Sequence, residues 1–401
     1  MIWIIIAMFL GILSGLLTGL IPGLHTNTIA LIFVGASVSL LDFFTPLEVA
    51  VFLMSMVVVH SFVDFIPSIF LGAPEDATVL GVLPGHELLM KGRGYRAIKL
   101  TVMGGVFTFI FGLIFIPPMF WWLSNSYDIL SKFIAPMLIV FSVLFILQEK
   151  STKKKFWAAI IFLLAGILGL LVLNQLSIKQ PLFPILSGLF GISTLFISLF
   201  NTMKIPNQIT VEKIEWRSTK RILDYMKAGL SSLFVSIMPA IGAAQAAVIS
   251  QAFTKFKDKE DFLVVLGGIN TAAALFTLTT FFLIGRARTG VVAVIKDIVK
   301  LNFEAYLILV AVCFFAMIVG AILTLKLSKF VAKYVSKINY RKISLGVICF
   351  ISILVLGFSG LIGLWVLLIA TSIGILAPLV GVRRIHLMAC LVVPVVVYYL
   401  L

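Results

Sequence analysis

Residues 11–31 read GILSGLLTGLIPGLHTNTIAL, and the rest of the chain takes its meaning from them. Two apolar arms meet at Ile21-Pro22-Gly23-Leu24-His25. Pro22 removes a backbone donor and Gly23 admits conformations that end a helix. A polar run, His25-Thr26-Asn27-Thr28, follows at once. Inside a bilayer, broken backbone is tolerated only where protein or a water-filled cavity surrounds it. The stretch therefore reads as a membrane helix broken in its middle, with polar groups at the break. Carrying a polar solute across a bilayer needs such a feature.

Composition agrees. The chain is 61% hydrophobic and 12% charged, with a mean hydropathy of +1.19. Soluble chains run at about half apolar and about a quarter charged, so an all-α polytopic membrane protein in the cell membrane is expected. Residues 1–20 lack the basic start and the cleavage site of a signal peptide, and read as a membrane element. The net charge of +15 sits in short loops between apolar spans, as the positive-inside rule produces without a nucleic-acid partner. Cys313, Cys349 and Cys390 are widely spaced within apolar spans and form neither a metal spacing nor a disulfide framework. No phosphate-binding loop, HExxH or GxSxG is present. The expectation is therefore no enzyme, no metal and no cofactor beyond a coupling Na+ or H+.

A span needs about 20 mostly apolar residues. After the first hairpin, spans are expected near 47–70, 98–123, 129–148, 156–173 and 181–201. The polar stretch 202–227 then divides the chain into a first repeat (1–201), a cytoplasmic linker and a second repeat (228–401). Residues 228–254 are uncharged and break at Met238-Pro239-Ala240-Ile241-Gly242, which makes them a second hairpin. With arms of a dozen or so residues, each about 18 Å long against a core of about 30 Å, they read as a re-entrant pair or one kinked span. Spans near 262–285, 303–325, 343–359, 361–379 and 385–401 complete the second half.

Placing Pro22 on Pro239 sets Gly15 and Gly19 on Ser232 and Ser236. A second echo sets Leu71-Gly72-Ala73 on Leu266-Gly267-Gly268 and Lys91 and Arg93 on Arg286 and Arg288. One hairpin and an odd number of spans per half would make the second repeat inverted. Most basic loops then fall on one face, the cytoplasmic one, with both termini outside. Arg286 and Arg288 fall on the outer face against that trend, and are read as meeting an anion.

The first hairpin, joined to Leu71-Gly72-Ala73-Pro74-Glu75-Asp76-Ala77-Thr78, Leu83-Pro84-Gly85-His86-Glu87 and Lys91-Gly92-Arg93-Gly94-Tyr95-Arg96-Ala97, resembles the large membrane subunit of the tripartite tricarboxylate transporters, the TctA-type family. The resemblance implies a permease for di- or tricarboxylates built from inverted repeats. It also implies a small membrane subunit and an extracytoplasmic binding protein as partners. His25 departs from it, standing where a small residue usually follows Pro-Gly-Leu.

Helix N-termini present unpaired N–H groups and a positive dipole end to a carboxylate. The expected substrate-binding residues are thus Pro22, Gly23, His25, Thr26, Asn27, Thr28, Gly242 and Gln245, with Asn270, Thr271, Arg286 and Arg288. His60 and Asp64, four apart on one helix face, are candidates for ion coupling because intramembrane carboxylates are costly and face a cavity or a partner. Glu75 and Asp76 join them as possible cation ligands. Two functions fit: an ion-coupled secondary transporter of organic carboxylates working by alternating access, or a carrier of an anionic lipid such as a polyprenyl phosphate.

Overall fold

The computed structural model describes the chain except for residues 1, 22–25, 27–43, 73–76, 79–80, 177, 179–180, 201–204, 213, 217, 238–241, 244–245, 248–249, 251–257, 338–339 and 401. Among the described residues all regular structure is helical. The first half holds α1 (Ile2–Leu20), α2 (Pro46–Val63), α3 (Phe65–Phe70), the short α4 (Val82–Met90), α5 (Gly94–Lys132), α6 (Ile134–Leu147) and α7 (Thr152–Asn174). It closes with α8 (Leu182–Leu186), which passes through a π-helical turn (Ser187–Ile192) into α9 (Ser193–Ser198). The second half holds α10 (Thr219–Ile237), α11 (Lys259–Ile284), the short α12 (Gly290–Ile298), α13 (Phe303–Tyr334) and α14 (Tyr340–Leu379). A 3₁₀ turn (Arg384–Met388) and α15 (Ala389–Leu400) end it. Among the described residues, seven helical stretches are long and apolar enough to cross a membrane: 2–20, 46–70, 94–123, 152–174, 259–284, 303–337 and 344–379.

Helices stand at each expected span with shifted ends, but those expected at 129–148, 181–201 and 385–401 are shorter than the seven membrane-length stretches. α5 runs unbroken through Pro117 and Pro118 to Lys132, so the chain turns at Phe133 and not between the expected spans 98–123 and 129–148. Gly360, at φ 68° and ψ −167°, breaks α14 into two arms, between the expected spans 343–359 and 361–379. α10 starts at Thr219, inside the stretch read as linker, which makes it about 28 Å long at 1.5 Å per residue. The length argument for a short first arm therefore does not hold.

α2–α3 and α11 are the most buried of the apolar helices, and they are built alike. Thr45 caps α2 in a capping box with Glu48 (Thr45 N donates to Glu48 Oε2, 2.9 Å), and Asp258 caps α11 in one with Asp261 (Asp261 N donates to Asp258 Oδ1, 3.0 Å). Left-handed glycines follow at the far ends, Gly72 (φ 63°) and Gly285 (φ 66°), each 27 residues after its cap. That register differs from the second echo, which set Gly72 on Gly267; Gly267 lies in the middle of α11.

Each of these helices carries a parallel partner. The glycines of α1 lie on α2 in ascending order: a Cβ at Gly11 would meet Phe52 O at 2.3 Å, one at Gly15 would meet Met56 O at 2.5 Å, and one at Gly19 would meet Val63 Cβ at 2.7 Å. Small residues permit such backbone approach, which is what holds helices together in a bilayer. α10 follows α11 in the same sense: Lys220 bonds Asp258 (2.9 Å), Ser232 Oγ donates to Ile269 O (3.0 Å), and Thr280 Oγ1 donates to Ser236 Oγ (3.1 Å). Ser232 and Ser236 thus do on α11 what Gly15 and Gly19 do on α2.

The two pairs point in opposite directions. Phe70, at the end of α3, packs near Gly94 at the start of α5. Arg96 one turn later bonds Glu260 at the start of α11 (2.7 Å). α5 then climbs α11 in parallel, from Arg96 to Phe120, whose ring lies 5.7 Å from that of Phe282. α13 starts at the other end, where Tyr306 OH bonds Thr279 Oγ1 (3.0 Å), and reaches Val59 and Phe62 of α2 with Gly320. A second core forms where α15 packs on α7, through Gly166 and Gly169, and the π-helical turn packs on α14, through Gly188 and Gly374.

Charge gathers at the end where α5, α10 and α11 begin. The extended segment 205–212 lies across the α4–α5 turn, with Ile209 N donating to Gly92 O (2.7 Å) and Gly94 N to Gln208 Oε1 (2.8 Å). Glu212 pairs with Arg93 and with Arg96 (3.2 Å), and Arg221 pairs with Glu260 (3.3 Å) and Asp261 (3.1 Å). Burial first, and then the neighbouring Asp261, push the Asp224 carboxyl up from 3.8 to about 6, although Lys227, Arg221 and Lys220 oppose the shift. The folded form therefore holds this proton more tightly than the unfolded chain. Its contribution to stability is complete below pH 3.8 and is lost as pH rises through about 6. Asp224→Asn is accordingly expected to flatten the fall in melting temperature that the parent shows between about pH 5 and pH 7.5. Thermal unfolding at both pH values checks this, and identical pH dependence in the two proteins would show that Asp224 titrates normally.

Candidate substrate and ion site

The polar side chains of the central helices meet where α2 and α11 cross. Asp64 stands at the joint between α2 and α3 and is only 3% exposed. One turn on, Pro67 lacks the N–H that would bond Val63 O, so the backbone is loosened at this point. Asn270 of α11 fills in from across the interface. Its Nδ2 donates to Asp64 Oδ2 (2.9 Å) and to Ser61 O (3.0 Å), so one amide holds both the carboxylate and the helix before it. Ser61 Oγ donates to Val58 O (2.8 Å) and lies 3.4 Å from Thr271 Oγ1.

His60 turns the other way. Its Nδ1 lies 2.9 Å from Thr18 Oγ1 on α1, and Thr18 Oγ1 donates to Gly15 O (3.2 Å). The single hydroxyl proton being used there, His60 Nδ1 is the donor to Thr18. Thr18, His60, Ser61, Asp64 and Thr271 are all buried. Glycines clear the space around them. A Cβ at Gly105 of α5 would lie 2.7 Å from Thr271 Oγ1, and one at Gly19 would lie 3.2 Å from Asp64 N.

Of the residues singled out from sequence, His60, Asp64, Asn270 and Thr271 are thus brought into one cluster. The spacing coupled His60 to Asp64; in the structure they bond Thr18 and Asn270 respectively. Thr26 is buried. The Gly242 carbonyl accepts from Ala246 N (3.1 Å), and Ala243, Ala246 and Ala247 enter the main core. Pro22, Gly23, His25, Asn27, Thr28, Glu75, Asp76 and Gln245 lie outside the described residues.

Arg286 and Arg288 stand apart from this cluster. They follow Gly285, about 24 Å along α11 from Asn270 at 1.5 Å per residue, at the end opposite the charged seam. Arg286 is exposed and Arg288 half-buried. Burial pushes the Arg288 guanidinium down to about 9, with Tyr399 acting in the other direction, so it stays charged at neutral pH.

Thr18 and Ser61 were missed by sequence reasoning. Thr18 sits in an apolar arm and shows no partner locally, and Ser61 contributes through its carbonyl as well as its hydroxyl. Among the described residues no group of three or more His, Cys, Asp or Glu is placed to hold a metal ion. The cluster offers a carboxylate, an imidazole, an amide and hydroxyls, a set suited to binding a proton, a monovalent cation or a polar solute.

Seven membrane-length helical stretches among the described residues, packed around a buried polar cluster, define a multi-pass membrane protein. The chain matches the model of the tripartite tricarboxylate transporter TctA family over residues 5–389 and belongs to that family. It is 31% identical over 409 aligned residues to MJ1079, an uncharacterised protein of Methanocaldococcus jannaschii, with 99% of each chain covered. No solved structure matches it. The family is one of transporters and belongs to a tripartite system with a binding protein and a small subunit; membership makes this chain a tricarboxylate transporter component.

Proposed function

We propose that the chain is the permease of such a system, an ion-coupled secondary transporter of organic carboxylates working by alternating access between two inverted repeats. The observation that carries this is the Asp64–Asn270 contact at the crossing of α2 and α11. It joins two helix pairs of matching build and opposite direction, the layout in which transporters place a midplane site between repeats. The exchange of partners supports the same reading: α13 of the second half lies on α2, and α5 of the first half lies on α11. Asp64 and His60 bind the coupling H+ or Na+. The carboxylate sits against Thr26, Gly242, Asn270 and Thr271. Arg286 and Arg288, too far along α11 to reach Asn270, attract the anion at the outer mouth. The charged seam is cytoplasmic, by the positive-inside rule, and both termini lie outside. A small membrane subunit and an extracytoplasmic binding protein complete the assembly.

Reconstituted vesicles test this. Citrate or succinate is expected to accumulate when an inward proton or sodium gradient is imposed, and indifference to both gradients would sink the coupling. The double variant Arg286→Ala/Arg288→Ala is expected to raise KM about tenfold with kcat little changed, as loss of electrostatic attraction at an entrance does. An unchanged KM would remove the arginines from the pathway. Transfer of a lipid headgroup without any carboxylate uptake would favour the anionic-lipid carrier instead.

A further inference from the structure

A partly open recess lies away from the crossing of α2 and α11, between α6, α7 and the start of α15. It encloses about 30 Å³ and is walled by Phe141, Phe145, Phe162 and Val392, with Ser142 and His386 as its polar members. His386 is 1% exposed. Its Nε2 lies 3.0 Å from Glu149 Oε1. Glu149 also accepts from Arg383 Nε (3.0 Å) and Arg383 N (3.3 Å). Burial works to raise the Glu149 carboxyl, but these hydrogen bonds outweigh it and hold the group below the usual carboxylate range.

An ionised carboxylate only accepts, so the ring proton of a neutral His386 resides on Nε2 and Nδ1 is left as an acceptor. That Nδ1 is buried and meets no hydrogen-bond partner among the described residues. Ser142 Oγ spends its proton on Leu138 O (2.7 Å), which leaves only acceptor capacity there too. The polar side of the cavity thus accepts and does not donate, while the rest of its wall is aromatic and aliphatic. On the same helix Val140, Val143, Leu144 and Leu147 are exposed apolar side chains, so the cavity lies beside a lipid-facing surface.

The geometry points to a binding site for a hydroxyl-bearing lipid of the surrounding bilayer, its hydroxyl entering the recess to donate to His386 Nδ1 and its aliphatic chain leaving through the open side along the lipid-facing residues of α6. α6 belongs to the first half of the chain, and the turn carrying His386 to the second. The ligand would therefore sit at a seam already stapled by Glu149, Arg383 and His386.

The full-length protein in nanodiscs tests this with a sixteen-carbon alcohol carrying a diazirine in its chain. Saturable photolabelling is expected on the peptides containing Phe141–Phe145 and Val392, with unlabelled hexadecanol competing about tenfold better than hexadecyl methyl ether, which lacks the donor. His386→Phe is expected to abolish that preference, and Val392→Trp to block labelling by filling the space. If His386→Phe fails to fold, Ser142→Val with the alcohol–ether comparison still reads the site, and there the preference for the alcohol is expected to persist. Equal competition by alcohol and ether in the parent would overturn the assignment. So would labelling spread evenly over the lipid-facing helices, or no saturable labelling at all, the result for a cavity that takes only water.

Discussion

Asp64→Asn is expected to abolish gradient-driven carboxylate uptake while leaving the fold intact. Asparagine keeps the size and shape of aspartate, and its carbonyl oxygen can still accept from Asn270 Nδ2, so the joint between α2 and α3 keeps its cross-link. What disappears is the negative charge and the capacity to take up a proton. A fall of about 100-fold in coupled uptake corresponds to about 2.7 kcal/mol, within the range of about 1.5–3 kcal/mol for a hydrogen bond to a charged group. Vesicles under an imposed proton or sodium gradient measure the loss, and the melting temperature in detergent shows that folding is preserved. Asn270→Leu separates the two roles of the contact. It leaves the carboxylate in place without its amide donor, and is expected to cost about 1–3 kcal/mol of stability in addition to activity. Uptake by Asp64→Asn that still follows the gradient at the parent rate would show that the ion binds elsewhere.

Gly104→Val is expected to give the largest structural effect. A Cβ at Gly104 would lie 1.9 Å from Val264 O and 2.8 Å from Val264 C. On the facing helix a Cβ at Gly267 would lie 2.3 Å from Thr101 O. These are backbone atoms, and no rotamer change can move them, so α5 has to lift away from α11. Lifting it would strain the Arg96–Glu260 ion pair at one end and the Phe120–Phe282 contact at the other. Overpacking typically costs about 1–3 kcal/mol even where side chains can adjust, and in a bilayer close packing is the main force between helices. Loss of the monodisperse peak in size-exclusion chromatography, or a melting temperature lower by at least about 10 °C, is the expected result. Gly346→Ala is the control, because nothing lies within 4 Å of the added methyl group. A change within about 0.5 kcal/mol is expected there. A Gly104→Val protein that melts with the parent would show that α5 and α11 do not pack backbone to backbone.

Much of the fold was legible in the residues because it rests on local chemistry. Long apolar runs set membrane-length helices, and Thr45 with Glu48 and Asp258 with Asp261 start two of them. The break at Gly360 fell between two runs already separable by length. Local chemistry misled where charge was concerned. Lys220, Arg221, Asp224 and Lys227 made the start of α10 look like a loop. Folding supplies Asp258, Glu260 and Asp261 as partners, and a helix carrying those charges becomes affordable.

The candidate site divides the same way. Polarity within apolar helices was enough to mark His60, Asp64, Asn270 and Thr271, because such groups are costly in a membrane wherever they stand. The sequence by itself also determined that residues 11–20 lie in an apolar helix of membrane length and that its glycines recur every fourth position. Only the tertiary structure decided what those glycines lie against, and with them the partners of the polar groups. Helical spacing reports neighbours on a single helix, and so it joined His60 to Asp64. The bonds that form, His60 to Thr18 and Asp64 to Asn270, depend on how closely α1 and α11 approach α2. That approach is set by small residues such as Gly15 and Gly19 of α1 and Gly105 of α5, and it brings together Asp64 and Asn270, more than two hundred residues apart along the chain.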